Sequence, residues 1–226
     1  MDLPGLVGQL LDLEPGHPVT VEPTSSPVAF KIDAGNVQVI AKRPRPDRPG
    51  SALAEAAAYR TAHAHGAQVP RVLATRSEPE LIVLELVPGF SLWSRHRPEH
   101  ADRTAWRSAG TDLRAIHEAR LPGFGPLTIA AETLRGEADA WSPLVAFPRD
   151  TGIGRLVDAG LLVSSQVAGL LRRYDEYEHA LVCTDGRLLH GDLEGGHVMV
   201  DARAAYQGMI DFGQAQAGDP AGTWPG

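Results

Sequence analysis

The stretch from His190 to Asp219 restricts what this chain can become more than any other part of it. It reads His190-Gly191-Asp192-Leu193-Glu194-Gly195-Gly196-His197-Val198-Met199-Val200-Asp201, and then Met209-Ile210-Asp211-Phe212-Gly213. Asp192 and Asp211 each stand at the end of a short apolar run, beside backbone that glycine leaves free to turn. Phosphoryl transfer asks for such a pair: a carboxylate to take or orient a hydroxyl proton, and ligands that hold magnesium against phosphates. Asp192 suits the first task and Asp211 the second. Either acid alone reads as part of a polar surface loop; the two in this setting read as a site.

The rest of the chain supplies a frame for it. Val19 to Val21, Val28 to Ile32 and Val37 to Ala41 are β-branched or apolar runs split by turn residues, which predicts three short strands. Arg43 to Gly50 holds three prolines and reads as a loop. Ser51 is the expected N-cap of an alanine-rich helix from Ala52 to His65, ended by Gly66. Strands are expected at Val69 to Ala74 and Leu81 to Val87, with Pro88-Gly89 closing this half. From Ser91 the pattern turns helical, with helices at Ala105 to Ala119 and Ser164 to Ala180. The run Leu121-Pro122-Gly123-Phe124-Gly125-Pro126 stops the first of these. Short strands follow at Leu188-Leu189, Val198 to Val200 and Gln207 to Ile210.

Composition excludes several classes of function. A net charge of -7 without a basic stripe argues against nucleic acid as a partner. Cys183 is the only cysteine, so no intrachain disulfide forms. No apolar stretch approaches membrane-spanning length. Met1 to Pro15, acidic and broken by Pro4 and Gly5, lacks the basic start of a signal peptide, so the cytoplasm is the expected location. His63, His65, His96, His100 and His117 show no ligand spacing and read as surface or packing residues.

These motifs resemble the aminoglycoside and macrolide phosphotransferases, relatives of the protein kinases. That family's catalytic loop reads His-Gly-Asp-Leu, then four variable or small residues with Asn or His last, then an apolar strand. Its metal motif, Ile-Asp-Phe or Ile-Asp-Trp, leads into Gly-Asp-Pro, present here as Gly218-Asp219-Pro220. The resemblance covers about Val19 to Ala221. It implies an α+β, bilobal protein-kinase-like fold: an N-terminal nucleotide-binding lobe over 1–88, with an antiparallel sheet and one helix, and a mainly helical catalytic lobe over 89–226. Carried over residue by residue, Asp192 is the catalytic base, Asp211 the magnesium ligand and His190 a structural member of the loop. His197 stands where the family usually has asparagine, as in the macrolide version of the loop. The only asparagine in the chain is Asn36, so no neighbour substitutes. Imidazole is softer than an amide oxygen and magnesium prefers oxygen, so His197 either binds metal weakly or orients Asp192.

The first half supplies the cation. Val39-Ile40-Ala41-Lys42 resembles the kinase strand whose lysine pairs with nucleotide phosphates, and Glu55 resembles its ion-pair partner. Lysine occurs only at Lys31 and Lys42 in a chain that otherwise uses arginine, which suggests that a compact charge is needed at the end of this apolar strand. There is no Gly-x-Gly-x-x-Gly. Thr24-Ser25-Ser26 is the candidate phosphate loop, and Glu85 to Val87 resembles the hinge that meets the adenine edge.

Relatives continue after Gly-Asp-Pro with Ala-x-Asp-Leu-Ala, whereas this chain runs Ala221-Gly222-Thr223-Trp224-Pro225-Gly226. A one-base slip turns codons for Trp-Asp-Leu-Ala into codons for Gly-Thr-Trp-Pro. The expectation is therefore a phosphotransferase cut short, with an apolar face left exposed and self-association through it. The implied cofactors are ATP or GTP and magnesium, and the implied acceptor is a small-molecule hydroxyl, on an aminoglycoside or macrolide antibiotic. The alternatives are an inactive nucleotide-binding module and a metabolic kinase of the choline, homoserine or sugar type.

Overall fold

Both faces of the first sheet are covered, and that arrangement aims the site residues. The computed structural model describes residues 3–14, 18–24, 26–35, 37–45, 47–48, 50–94, 102–141 and 151–223. Ser25, His96, His100 and the tail from Trp224 lie outside them. Before the first strand comes a helix that the sequence reading did not assign, α1 (Leu3–Leu10). Pro4 falls in its first turn, where a missing N–H costs nothing.

Strands β1 (Thr20–Pro23), β2 (Ala29–Asp33) and β3 (Gln38–Lys42) precede helix α2 (Ser51–Ala64), and β4 (Val72–Ser77) and β5 (Glu80–Glu85) follow it. The five strands form an antiparallel sheet in the order β1-β2-β3-β5-β4. Alternate residues divide between its faces. Leu3 and Val7 of α1 pack with Ile32, Val39, Ala41, Leu81 and Val83 on one side. Ile82 and Leu84 cluster with Ala52, Ala56 and Tyr59 of α2 on the other, and Ile40 packs against this second cluster. Because both sides are apolar, β5 shows an unbroken apolar run rather than alternation. Lys42 pairs with Ile82 in register, two residues on from Ile40, which puts its side chain on the α2 face.

The start of α2 is held differently from the expectation. Gly50, with φ of 84°, is the cap residue. Ser51 accepts the Arg45 N–H at 3.0 Å through its hydroxyl. The free amides of Gly50 and Leu53 instead donate to the Glu80 carboxylate, at 2.8 and 3.0 Å. An anion from β5 thus meets the positive end of the helix dipole.

The second half holds more sheet than its helical pattern announced. It contains β6 (Phe90–Ser91), α3 (Asp102–His117), β7 (Arg120–Leu121), β8 (Phe124–Ala130), β9 (Thr133–Ala138), α4 (Ile153–Asp158), α5 (Ser164–Tyr177), β10 (Gly186–Leu189), β11 (Val198–Val200), β12 (Tyr206–Met209) and β13 (Gln216–Gly218). Two sheets result, ordered β7-β10-β13-β8-β9 and β12-β11-β6. The glycine- and proline-rich run expected only to stop α3 enters the β8–β9 hairpin. On the other edge of β8, Gly125 and Pro126 pair with Ala217 and Gln216 of β13, far along the chain, so a local reading misses that partner. Helix α5 buries none of its residues, and Leu161, Val163, Leu170, Tyr177 and Val182 are exposed. Among the described residues no helix is long and apolar enough to cross a membrane.

Ile82 is fully buried between the sheet and α2. Ile82→Ala is expected to lower unfolding free energy by about 2–5 kcal/mol in urea titration; a loss under about 1 kcal/mol would contradict this packing.

Candidate active site

Lys42 is a buried charge held by two carboxylates. It is 6% exposed, and its Nζ lies 2.5 Å from Glu55 Oε1 and 2.9 Å from Asp211 Oδ1. Burial works against the ammonium, but Glu55, Tyr59 and Asp211 outweigh it and hold the Lys42 pKa above its ordinary value. Burial, with the Asp211 charge adding to it, pushes the Glu55 carboxyl up, and Lys42 opposes the shift. With a cation in hydrogen-bond contact, the ionised pair is the state that satisfies both partners. Burial would raise Asp211 too, yet Lys42 and the Gly213 N–H hold it below the usual aspartate range.

Asp211 sits on the turn after β12 with φ of 67°, a region that non-glycine residues seldom occupy. Its N–H donates to the Tyr59 hydroxyl at 2.8 Å, and its Oδ1 accepts the Gly213 N–H at 3.2 Å. Tyr59 is one helical turn beyond Glu55 on α2, so a single helix face contacts both Lys42 and the Asp211 backbone. The sequence reading missed Tyr59; its spacing of four from Glu55 was the available signal.

The loop after β10 is built around His190, which is fully buried. Its Nε2–H donates to the Ile210 carbonyl at 3.0 Å, which leaves Nδ1 to accept the Asp192 N–H at 3.4 Å. The ring packs on Phe212 at 4.7 Å, and Phe212 on Tyr59 at 4.8 Å. Burial lowers the His190 pKa from 6.5 to about 4, so the ring is neutral at pH 7. Gly191, with φ of 80°, comes so close to the Gln214 carbonyl that a Cβ there would collide with it. Glycine therefore lets the Asp192 turn rest on the Asp211 turn.

His197 follows in a short 3-10 turn and is mostly covered. Its Nδ1–H donates to the Asp192 carbonyl at 2.6 Å, so Nε2 carries the lone pair, 3.8 Å from Asp211 Oδ2. Two acceptors facing one gap suit a cation. Among the described residues no group of three His, Cys, Asp or Glu closes on a metal unaided. Asp211 and His197 could offer two ligands, with oxygens from phosphate and water making up the rest, as magnesium prefers.

Two adjoining cavities meet at Lys42 and Asp211. One, of about 350 Å³, is lined by Ser26, Arg43, Lys42, Glu55, Asp192, Asp211 and Gln214. The other, of about 560 Å³, has an apolar end formed by Ile40, Leu84, Leu86, Val87, Met199 and Ile210, and also holds Glu85, Trp93 and His197. Their sizes suit a small ligand. The structure thus brings Lys42, Glu55, Asp192, Asp211, His197, Ser26, Glu85 and Val87 to the walls of these two adjoining cavities. Two side chains beside these cavities are engaged in contacts of their own. The Thr24 hydroxyl is spent on its own turn, accepting the Ser26 N–H at 3.1 Å and donating to the Ala29 carbonyl at 3.0 Å. The Glu85 carboxylate turns away to Arg71, 3.0 Å distant. Trp93, 66% exposed, lies against Gly195 and Gly196 of the Asp192 loop, a position the sequence did not suggest.

Comparison with known proteins bears on the family and the fold. A family model described as "Phosphotransferase enzyme family" matches residues 22–221. The chain is similar to a thermostable mutant of aminoglycoside phosphotransferase APH(4)-Ia solved with ADP and hygromycin B, at 17% identity, over 98% of this chain and 74% of that one, with a TM-score of 0.65. It is also similar to APH(2")-IIa solved with streptomycin and ATP, at 17% identity over 97% and 73% of the chains, TM-score 0.60. Macrolide 2'-phosphotransferase MphH from Brachybacterium faecium matches at 19% identity over 97% and 73%, TM-score 0.55. No curated protein matches.

Two outcomes follow from the charges. Because the His190 pKa is depressed on folding, its neutral burial stabilises the fold fully above pH 6.5 and is lost as pH falls toward about 4. Unfolding free energy should drop by about 3 kcal/mol over that window, and His190→Gln should flatten the decline; an unchanged slope in the variant would contradict it. Lys42→Met strands Glu55 and should cost about 3–5 kcal/mol in denaturant titration, with much of it recovered when Glu55→Leu is added.

Proposed function

This chain belongs to the phosphotransferase enzyme family, and from that premise we propose that it moves the γ-phosphoryl group of ATP or GTP to a hydroxyl of a small molecule. An aminoglycoside or macrolide antibiotic is the acceptor class, and the cytoplasm, where nucleotide triphosphate is supplied, is the place. The observation that carries this reading is the contact of Lys42 with both Glu55 and Asp211, across 169 residues of chain in the second case, on the wall of the cavity that Asp192 also lines.

The roles follow from position. The base would enter the apolar end of the larger cavity, against Ile40, Leu84 and Met199, with the backbone of Glu85 to Val87 along its edge. Lys42, kept charged and immobile by Glu55, would grip the phosphates, with Ser26 covering them; Ser25 is part of the same proposal. Asp211 and His197 would hold magnesium, which when bound neutralises charge on the phosphates. Asp192, exposed in the other cavity, would accept the proton of the acceptor hydroxyl. The hydroxyl oxygen then bonds to the γ-phosphorus as the bond to the bridging oxygen breaks, and the nucleoside diphosphate leaves. In this reading 1–88 form the nucleotide lobe and 89–226 the catalytic lobe of a bilobal enzyme.

Transfer of labelled γ-phosphate from ATP and GTP to a panel of aminoglycosides, macrolides, choline, homoserine and sugars tests the proposal. Asp192→Ala should reduce transfer by roughly 10²–10⁴-fold while nucleotide binding persists. Asp211→Ala should lose magnesium-dependent nucleotide binding. Full activity in Asp192→Ala would refute the assignment. Binding without transfer in the unaltered chain would favour a nucleotide-binding module instead.

A further inference from the structure

A buried carboxylate outside the site bears on how the site is assembled, and its meaning rests on the reading that Lys42 and Asp211 grip a nucleotide together. Among the described residues four polar or charged side chains are buried: Lys42, Glu55, His190 and Asp112. Three of them belong to the site. Asp112, on α3, has no part in it, yet a carboxylate is costly to bury unless strong hydrogen bonds repay its lost hydration. Its Oδ2 accepts the Gln68 N–H at 2.9 Å and the Tyr206 hydroxyl at 2.7 Å.

Those two partners join different parts of the molecule. Gln68 lies in the connection leaving α2, the helix that carries Glu55 and Tyr59. Tyr206 opens β12, the strand that leads into Asp211. The Gln68 carbonyl also accepts the Met209 N–H at 2.9 Å, two residues before Asp211. Gly208 makes that approach feasible: its φ is 138°, and a Cβ there would stand only 2.7 Å from the Gln68 oxygen. One short segment is thus held from both sides, by Asp112 through its N–H and by β12 through its C=O.

We infer that Asp112 is a positioning residue, which locks the end of α2 to β12 and so sets Asp211 against Lys42, Glu55 and Tyr59. Without its acceptor oxygen, the Gln68 N–H and the Tyr206 hydroxyl lose their shared partner. The Gln68–Met209 bond is then left to tie the end of α2 to β12, and the Asp211 turn, though still bonded to Tyr59, is set less firmly against the Lys42 ammonium. Asp112 touches neither nucleotide nor acceptor in this account; it acts through Gln68 and β12.

The test combines two measurements on the full chain: magnesium-ATP affinity by calorimetry, and amide hydrogen exchange at Met209 and Asp211 compared with the β3 and β5 amides. Asp112→Ala is expected to weaken magnesium-ATP about tenfold and to speed Met209 and Asp211 exchange by a similar factor, with β3 and β5 protection kept. Asp112→Asn, which keeps an oxygen in the same place, should restore both to within about threefold. Equal loss of protection at every amide, or unchanged Asp211 exchange and affinity in Asp112→Ala, would overturn the inference. Should Asp112→Ala fail to fold, Gly208→Ala must show the same paired effect, and its absence there counts equally against the idea. If the unaltered chain binds no nucleotide, the functional reading falls, while the exchange pattern alone still decides the role of Asp112.

Discussion

The structure turns on one ammonium group that is almost out of water. Lys42 needs an anion to remain charged there, and Glu55 needs a cation; neither would be tolerated alone. The helix that brings Glu55 therefore must lie over the sheet that brings Lys42, which the small alanines of α2 permit by packing closely on Ile82 and Leu84. Asp211 completes the set from the opposite end of the chain. Contacts this distant in sequence are satisfied only when both halves are in place. The charge pair thus acts as a check on assembly as well as a feature of the site.

The backbone from Met209 to Asp211 is where those halves are tied. Met209 bonds to Gln68, Ile210 to both His197 and His190, and Asp211 to Tyr59. Each successive residue is thus anchored to a different element. The aromatic stack of His190, Phe212 and Tyr59 fills the space behind them. Such over-determination explains how Asp211 keeps a left-handed backbone, since neighbours that hold every polar group can impose a conformation the residue would not choose.

Much of the site was legible because its parts are short, polar and set in apolar surroundings. Asp192 and Asp211 stand out against the runs beside them, and Lys42 against a chain of arginines. Residues that act through shape left weaker traces. Tyr59 looks like ordinary helix core, and Trp93 like a stray aromatic, until the fold puts one under Asp211 and the other on Gly195. Ser51 carried the right chemistry for a helix cap, but Glu80 reached the same amides from a neighbouring strand. Strand β8 was hidden because the glycines and prolines that signal a turn also open it, and there they pair with β13, far along the chain.

By itself the amino-acid sequence determined the chemistry on offer: which groups can carry charge, which runs prefer to extend and where the backbone can bend. These are properties of single residues and near neighbours, so they survive without a fold. Tertiary structure alone decided which acid meets Lys42, which nitrogen of His197 faces Asp211, and that Glu85 turns to Arg71. Those outcomes depend on distance and burial. Electrostatic and hydrogen-bond energies change steeply with both, and neither is set until the chain has closed on itself.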